Sequence, residues 1–186
     1  KPRPSAMPPD ELPAPEPISE RADYDGDSWG TPAAIIEDAR AVLGHIDFDP
    51  ASNGQAQQTV RAAVHYTKAD DGLSRAWFGR VWLNPPFSHP LCAQFTAKLI
   101  AEYDAGRVEA ALLLVNNVTD TSWFHVLLSR FPVCFTKGRI PFVLGGNSHA
   151  QTRQGQAIFY LGSDVARFRE VFGKRGGRYG SHNMHE

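Results

Sequence analysis

Val81-Trp82-Leu83-Asn84-Pro85-Pro86-Phe87 is the stretch on which the rest of the chain turns. Its apolar start predicts a buried strand, and Asn-Pro-Pro ends it, because proline has no N–H for a ladder and Asn favours turns. Downstream, Pro90 through Tyr103 reads as a helix stopping by Gly106, and Ala110 to Val115 is a continuous apolar run, the mark of a strand buried on both faces. Upstream, Thr31 can cap a helix with Pro32 at its first position, and Ile35, Ile36, Ala39, Val42 and Leu43 form its apolar stripe before Gly44. Ile46 to Phe48 reads as a short strand stopped by Asp49 and Pro50. Gln55 to Ala63 is a second helical or irregular segment, Val64 to Tyr66 a short strand, and Asp70-Asp71-Gly72 a turn. Beyond the long apolar run come a helix from Thr121 to Ser129, strands at Val133–Thr136, Ile140–Leu144 and Gln156–Leu161, and a helix from Asp164 to Phe172. Strands alternating with helices predict an α/β fold with a mostly parallel sheet covered on both faces. Ligands bind such sheets at the strands' carboxyl ends.

A length of 186 residues accommodates one catalytic domain and leaves no room for a large recognition domain, so short or relaxed target preference is expected. Residues 1 to 28 hold seven prolines, and seven acids against three bases, with few large apolar side chains. That segment reads as an extended or disordered linker, ahead of a folded domain at 29–173 and a basic, glycine-rich tail at 174–186. Because the chain opens on Lys1, it reads as a possible piece of a longer polypeptide. No apolar run approaches the roughly 20 residues of a membrane span. Cys92 and Cys134, read as buried free thiols, fit a reducing cytoplasm. The net charge of −1 argues against binding a polyanion by bulk electrostatics, yet from residue 137 onward eight bases face three acids. Nucleic acid would approach that half.

Asn84-Pro85-Pro86-Phe87 sits where an open sheet builds its active site, and its chemistry suits an aromatic amino group. The lone pair of such a nitrogen is delocalised into the ring. An Asn side-chain oxygen and the Pro85 carbonyl can accept both of its hydrogens and turn the lone pair outward, while two prolines hold the acceptors and Phe87 offers a face for an extruded base. By itself the motif fits a strand-ending turn equally well.

The neighbouring residues extend the match. Asn84-Pro85-Pro86-Phe87 resembles the amino-methyltransferase motif, and its surroundings resemble the phage-type DNA N6-adenine methyltransferase (Dam) family. Trp29-Gly30-Thr31-Pro32 is similar to that family's amino-terminal segment, Phe48-Asp49-Pro50-Ala51 to its first-strand motif, and Asp71-Gly72-Leu73 with Trp77 to the segment before the catalytic strand. Thr119, Asp120, Thr121, Trp123 and Phe124, then Gly138, Arg139, Ile140 and Phe142, continue the resemblance, which runs from about residue 29 to 162. It implies a Rossmann-like, S-adenosylmethionine-dependent methyltransferase fold of seven strands with the last antiparallel, and double- or single-stranded DNA as substrate. The usual methyltransferase glycine-rich loop after the first strand is replaced here by Ala51-Ser52-Asn53-Gly54.

S-adenosylmethionine carries a carboxylate, an ammonium and an adenosine, which need different partners. Helix amides at Thr31, with Pro32 opening the helix, suit the carboxylate. Asp49, with Pro50, Ala51 and Ser52 beside it, suits the ammonium. Asp70 or Asp71 suits adenine or ribose, and Trp29 an apolar part of the donor. Candidate DNA contacts are Arg139, Asn147, Gln151, Arg153, Lys174, Arg175 and Arg178, each equally readable as solvated loop or terminus. The histidines show no ligand spacing, so no metal is expected. Trp123, Phe124 and His125 read as structural. Methylation of cytosine N4 or of a glutamine amide remains an alternative, as does a catalytically silent DNA-binding module of the same fold.

Overall fold

The computed structural model describes residues 30–144, 147–151 and 153–179. Trp29, the segment before it and the chain after 179 lie outside the described residues, as do the side chains of Asn147, Gln151 and Arg178.

Helix α1 (Ala33–Leu43) begins after Pro32 and ends at Gly44, whose φ of 82° is the left-handed conformation that stops a helix. Strand β1 (Phe48–Asp49), helix α2 (Gly54–Val60) and strand β2 (Val64–His65) follow, then a 3-10 turn at Lys68–Asp70. Strand β3 (Gly79–Leu83), helix α3 (Leu91–Asp104) and strand β4 (Val108–Asn116) form the centre. Helix α4 (Ser122–Arg130), strand β5 (Val133–Thr136), the pair β6 (Pro141–Leu144) and β7 (Asn147–Gln151), strand β8 (Gln156–Leu161), helix α5 (Val165–Phe172) and strand β9 (Gly176–Tyr179) complete the order.

Seven strands form one sheet in the order β2-β1-β3-β4-β8-β5-β9. The fold is α/β, as the alternation predicts, but the sheet is mixed. β2, β1, β3 and β4 pair in parallel, whereas β8 and β9 both run against their neighbours. β8 is the antiparallel last strand that the resemblance implies, and β9, beyond it, is a second, so the expectation of a single antiparallel strand is corrected by β9. After β5 the chain folds the β6–β7 hairpin outside the sheet and re-enters from the edge it left, which forces β8 to run backward. Ile140–Leu144, read as a member of the main sheet, belongs to that hairpin.

Both faces of the central strands are covered. Val81, Leu83, Leu113 and Val115 pack with α3 and α4, and the alternate residues Trp82, Leu112 and Leu114 pack with α1 and α5. This two-sided burial is what makes the apolar runs continuous rather than alternating. Cys92 and Cys134 are buried and free. Among the described residues no helix is long and apolar enough to cross a membrane.

β9 overlaps the segment read as a tail. Gly176 lies against the Phe135 carbonyl, where an added Cβ would come within 1.8 Å of the oxygen, so only glycine fits this pairing. The glycines that hid the strand make it possible.

Candidate active site

β1 sends the chain to β2 on one side and then, past β2, to β3 on the other, so the carboxyl ends of β1 and β3 flank the point where the topology reverses. Asp49 ends β1 and Asn84 follows β3. Both line one small polar cleft with Thr31, Ala51, Asn53 and Trp82. A larger cavity of about 430 Å³ opens beside it, lined by Pro50, Ala51, Ser52, Asn53, the segments 67–69 and 71–73, Pro86, Leu91 and Phe95. A third, of about 130 Å³, lies past Phe87 and is lined also by Asn116, Val118, Thr121, Trp123 and Gln154. The Asn84–Phe87 turn therefore borders all three, Asn84 on the polar cleft, Pro86 on the large cavity and Phe87 on the third.

Asp49 is 2% exposed. Burial pushes its carboxyl up from 3.8 to about 7, against hydrogen bonds from Ser52, the Ala51 amide and Gln57 that pull it down. The Gln57 Nε2 donates to Asp49 Oδ2 at 2.9 Å and to Ser52 Oγ at 2.7 Å, and its Oε1 accepts from the Ala62 amide at 2.9 Å. Gln57 escaped the sequence reading. It lies eight residues after Asp49, on a helix too short to show a face. In place of a glycine-rich loop, side chains shape this turn: Asn53 Oδ1 accepts from the Ala56 amide at 2.8 Å and caps α2.

The two acidic candidates at the turn separate. Asp70 closes a capping box with Thr67, accepting from its amide at 2.8 Å and its hydroxyl at 2.7 Å, and these bonds hold its carboxyl below the usual range. Asp71, left-handed at φ 50°, lines the large cavity. Gly72 locks this wall to β1: an added Cβ would lie 2.3 Å from the Pro50 carbonyl oxygen, and Trp77 Nε1 donates to the Gly72 carbonyl at 2.7 Å.

Thr31 is buried beside Asp49, and Pro32 holds the N-cap position of α1. Gly30 forms a bridge with Val143 on β6, and Phe142 meets Phe87 edge to face at 5.7 Å. The hairpin is thereby fastened against the motif. Trp123 packs on the core and also lines the third cavity, whereas Phe124 is wholly buried. His125 Nε2 donates to the Thr119 carbonyl at 2.8 Å.

Arg139, Arg153, Lys174 and Arg175 lie on segments at the carboxyl rim of the sheet but not at one spot, whereas Arg178 pairs opposite Cys134 within it. Arg153 is exposed beside Gln154 of the third cavity, and Arg139 is exposed before β6. Lys174 is exposed at the start of β9, four strands from β3, roughly 19 Å at ~4.8 Å per strand. Arg175 is turned back on α1, ion-paired to Asp38 and donating to the Ala34 carbonyl at 2.8 Å.

A cavity outside the switch point of an open sheet defines an α/β protein of the class that binds a small ligand at strand carboxyl ends. Comparison with known proteins narrows the class, since the profile of one family matches residues 18–165. The chain belongs to the DNA N-6-adenine-methyltransferase (Dam) family. It is similar to a DNA N-6-adenine-methyltransferase of Escherichia phage T1, 27% identical over 140 residues that cover 73% of this chain and 55% of the phage protein. It is also similar to one of Haemophilus phage HP1, 29% identical over 122 residues that cover 64% of this chain and 68% of that protein. The aligned region thus spans about half the length of the first relative and two thirds of the second.

Proposed function

We propose that the chain transfers a methyl group from S-adenosylmethionine to the N6 amino group of an adenine turned out of DNA, on a Rossmann-like methyltransferase scaffold. The observation that carries this reading is the meeting of three cavities at Asn84–Phe87, with the Asp49 carboxyl on the nearest of them.

The residues present fit the donor. The large cavity suits an adenosine, with Asp71 on its wall for a hydroxyl or an amino group, and Pro50, Ala51, Ser52 and Pro86 around it. Asp49 suits an ammonium, which would favour its ionised form in a place where burial resists ionisation. Thr31 and the start of α1 suit a carboxylate. When bound, the donor supplies an electrophilic methyl group. Asn84 and the Pro85 carbonyl hold the two amino hydrogens, the fixed Pro85-Pro86 backbone keeps these acceptors aligned, and Phe87 stacks on the base. Holding the amino group in this geometry, out of water, supplies the acceleration, without a covalent enzyme intermediate. The exposed Arg139, Arg153 and Lys174 would meet phosphates along the rim.

Asn84→Ala tests the reading. The variant is expected to keep donor affinity in a calorimetric titration and to lose at least ~100-fold in the appearance of N6-methyladenine, followed by mass analysis of nucleosides. Full activity in the variant would refute the mechanism, and other methylated nucleosides would refute the substrate.

A further inference from the structure

The third cavity, past Phe87, carries a recognition element outside the Asn84–Phe87 motif. Asn116 ends β4 and lines that cavity, directly across the ladder from Gln156 on β8. Gln156 is fully buried, and backbone groups determine the orientation of its amide. The Ile140 N–H, which can only donate, points at its Oε1 from 2.9 Å, and the Gln154 carbonyl, which can only accept, lies 2.7 Å from its Nε2. Nε2 is therefore a donor, and its second contact, at 3.2 Å, must meet an acceptor, Asn116 Oδ1. The Asn116 amide is fixed in turn. With the oxygen of Asn116 accepting from Gln156, the other end of its amide is Nδ2, a donor.

The cavity is far smaller than the one suited to the donor and is flanked by two aromatic residues, Phe87 and Trp123. That shape suits one flat ring. We infer that Asn116 is a specificity-determining residue, its Nδ2 donating to the unprotonated ring nitrogen that flanks the amino group of the target base, with Gln156 as the residue that positions it. The inference rests on the proposed function and names what that site reads: an amino group beside a ring acceptor. A base carrying N–H at that ring position, such as guanine, would set donor against donor and be rejected.

Asn116→Asp keeps the shape and the Oδ1 that accepts from Gln156, and replaces the Nδ2 donor by an acceptor while adding a negative charge, whose general effect is common to all three DNAs. DNA is prepared with adenine, 1-deazaadenine or 7-deazaadenine at every adenine position, and kcat and KM are measured for both proteins. The wild type is expected to lose about 10- to 100-fold in kcat/KM on the 1-deazaadenine DNA, which lacks the ring acceptor beside the amino group, and a loss confined to the 7-deazaadenine DNA overturns the inference. Asn116→Asp is expected to be lower by a similar factor on adenine and to show no further loss on the 1-deazaadenine DNA. A purely structural role would lower activity on all three DNAs alike and leave the discrimination between them intact. That result, or a variant equal to the wild type on adenine, overturns the inference while wild-type methylation of adenine leaves the proposed function standing. A wild type that methylates no DNA overturns both.

Discussion

Replacing Asp49 by asparagine removes a charge from a place where burial opposes it, and the consequence can be worked from the carboxyl's position. In the folded protein the group titrates at about 7, against 3.8 ordinarily. Between those values the folded state holds a proton that the unfolded chain has released, so stability falls as pH rises through that window. The fall approaches ~1.4 kcal/mol per pH unit and totals on the order of 4 kcal/mol by pH 8. Asparagine mimics the protonated form and has no such slope. Its amide must replace an oxygen that accepts from Gln57 or from the Ala51 amide, which costs about 1 kcal/mol. The variant should therefore be close to the wild type at pH 4.5 and more stable by about 2–3 kcal/mol at pH 8, an increase of roughly 5–10 °C in Tm. Urea unfolding of both proteins from pH 4.5 to 8.5 measures the difference. In the same variant, affinity for the cationic donor at pH 8 should fall by at least ~10-fold, since the ammonium loses its counter-charge. Wild-type affinity should climb about tenfold per unit as pH rises toward 7 and flatten above it. Parallel stability profiles for the two proteins would refute the buried, high-titrating carboxyl.

Gly72→Ala forces a methyl group against the Pro50 carbonyl and should cost ~1–3 kcal/mol in urea unfolding while weakening donor binding, because the same contact closes the wall of the large cavity. An unchanged midpoint would show that this wall yields freely. Arg175→Ala and Lys174→Ala should separate two neighbouring bases: the first loses the Asp38 pair and the Ala34 bond and should cost about 1 kcal/mol, discounted for partial exposure, with little change in DNA affinity. Lys174→Ala should leave stability intact and lower the slope of log affinity for DNA against log salt by about 1, and the reverse pattern in a salt titration would exchange their roles.

What the sequence disclosed depends on whether a feature is carried within one element or assembled between several. Val81–Leu83 and Ala110–Val115 declare buried strands by composition, Gly44 declares a helix end, and Asn84-Pro85-Pro86 declares where β3 stops, because each signal lies in consecutive residues. The direction of β8 is carried by no residue of β8. It follows from a hairpin that leaves and re-enters at one edge, and that hairpin's second strand, Asn147–Gln151, has none of the apolar alternation that marks a strand. The candidate site divides along the same line. Asp49 and Asn84 are visible as strand-ending polar residues, but nothing in their neighbourhood encodes that β1 and β3 are adjacent, that Gln57 reaches back to Asp49, or that burial holds the Asp49 carboxyl near neutrality. The pairing of Asn116 with Gln156 is further removed, 40 residues apart in the chain and opposed only because β8 runs antiparallel to β4. A strictly parallel sheet would bring the amino end of β8 to the opposite edge and leave the third cavity without this wall. The antiparallel last strand, which the family resemblance implies and no residue of β8 announces, is thus what sets Gln156 against Asn116 in the wall of the pocket beside Phe87.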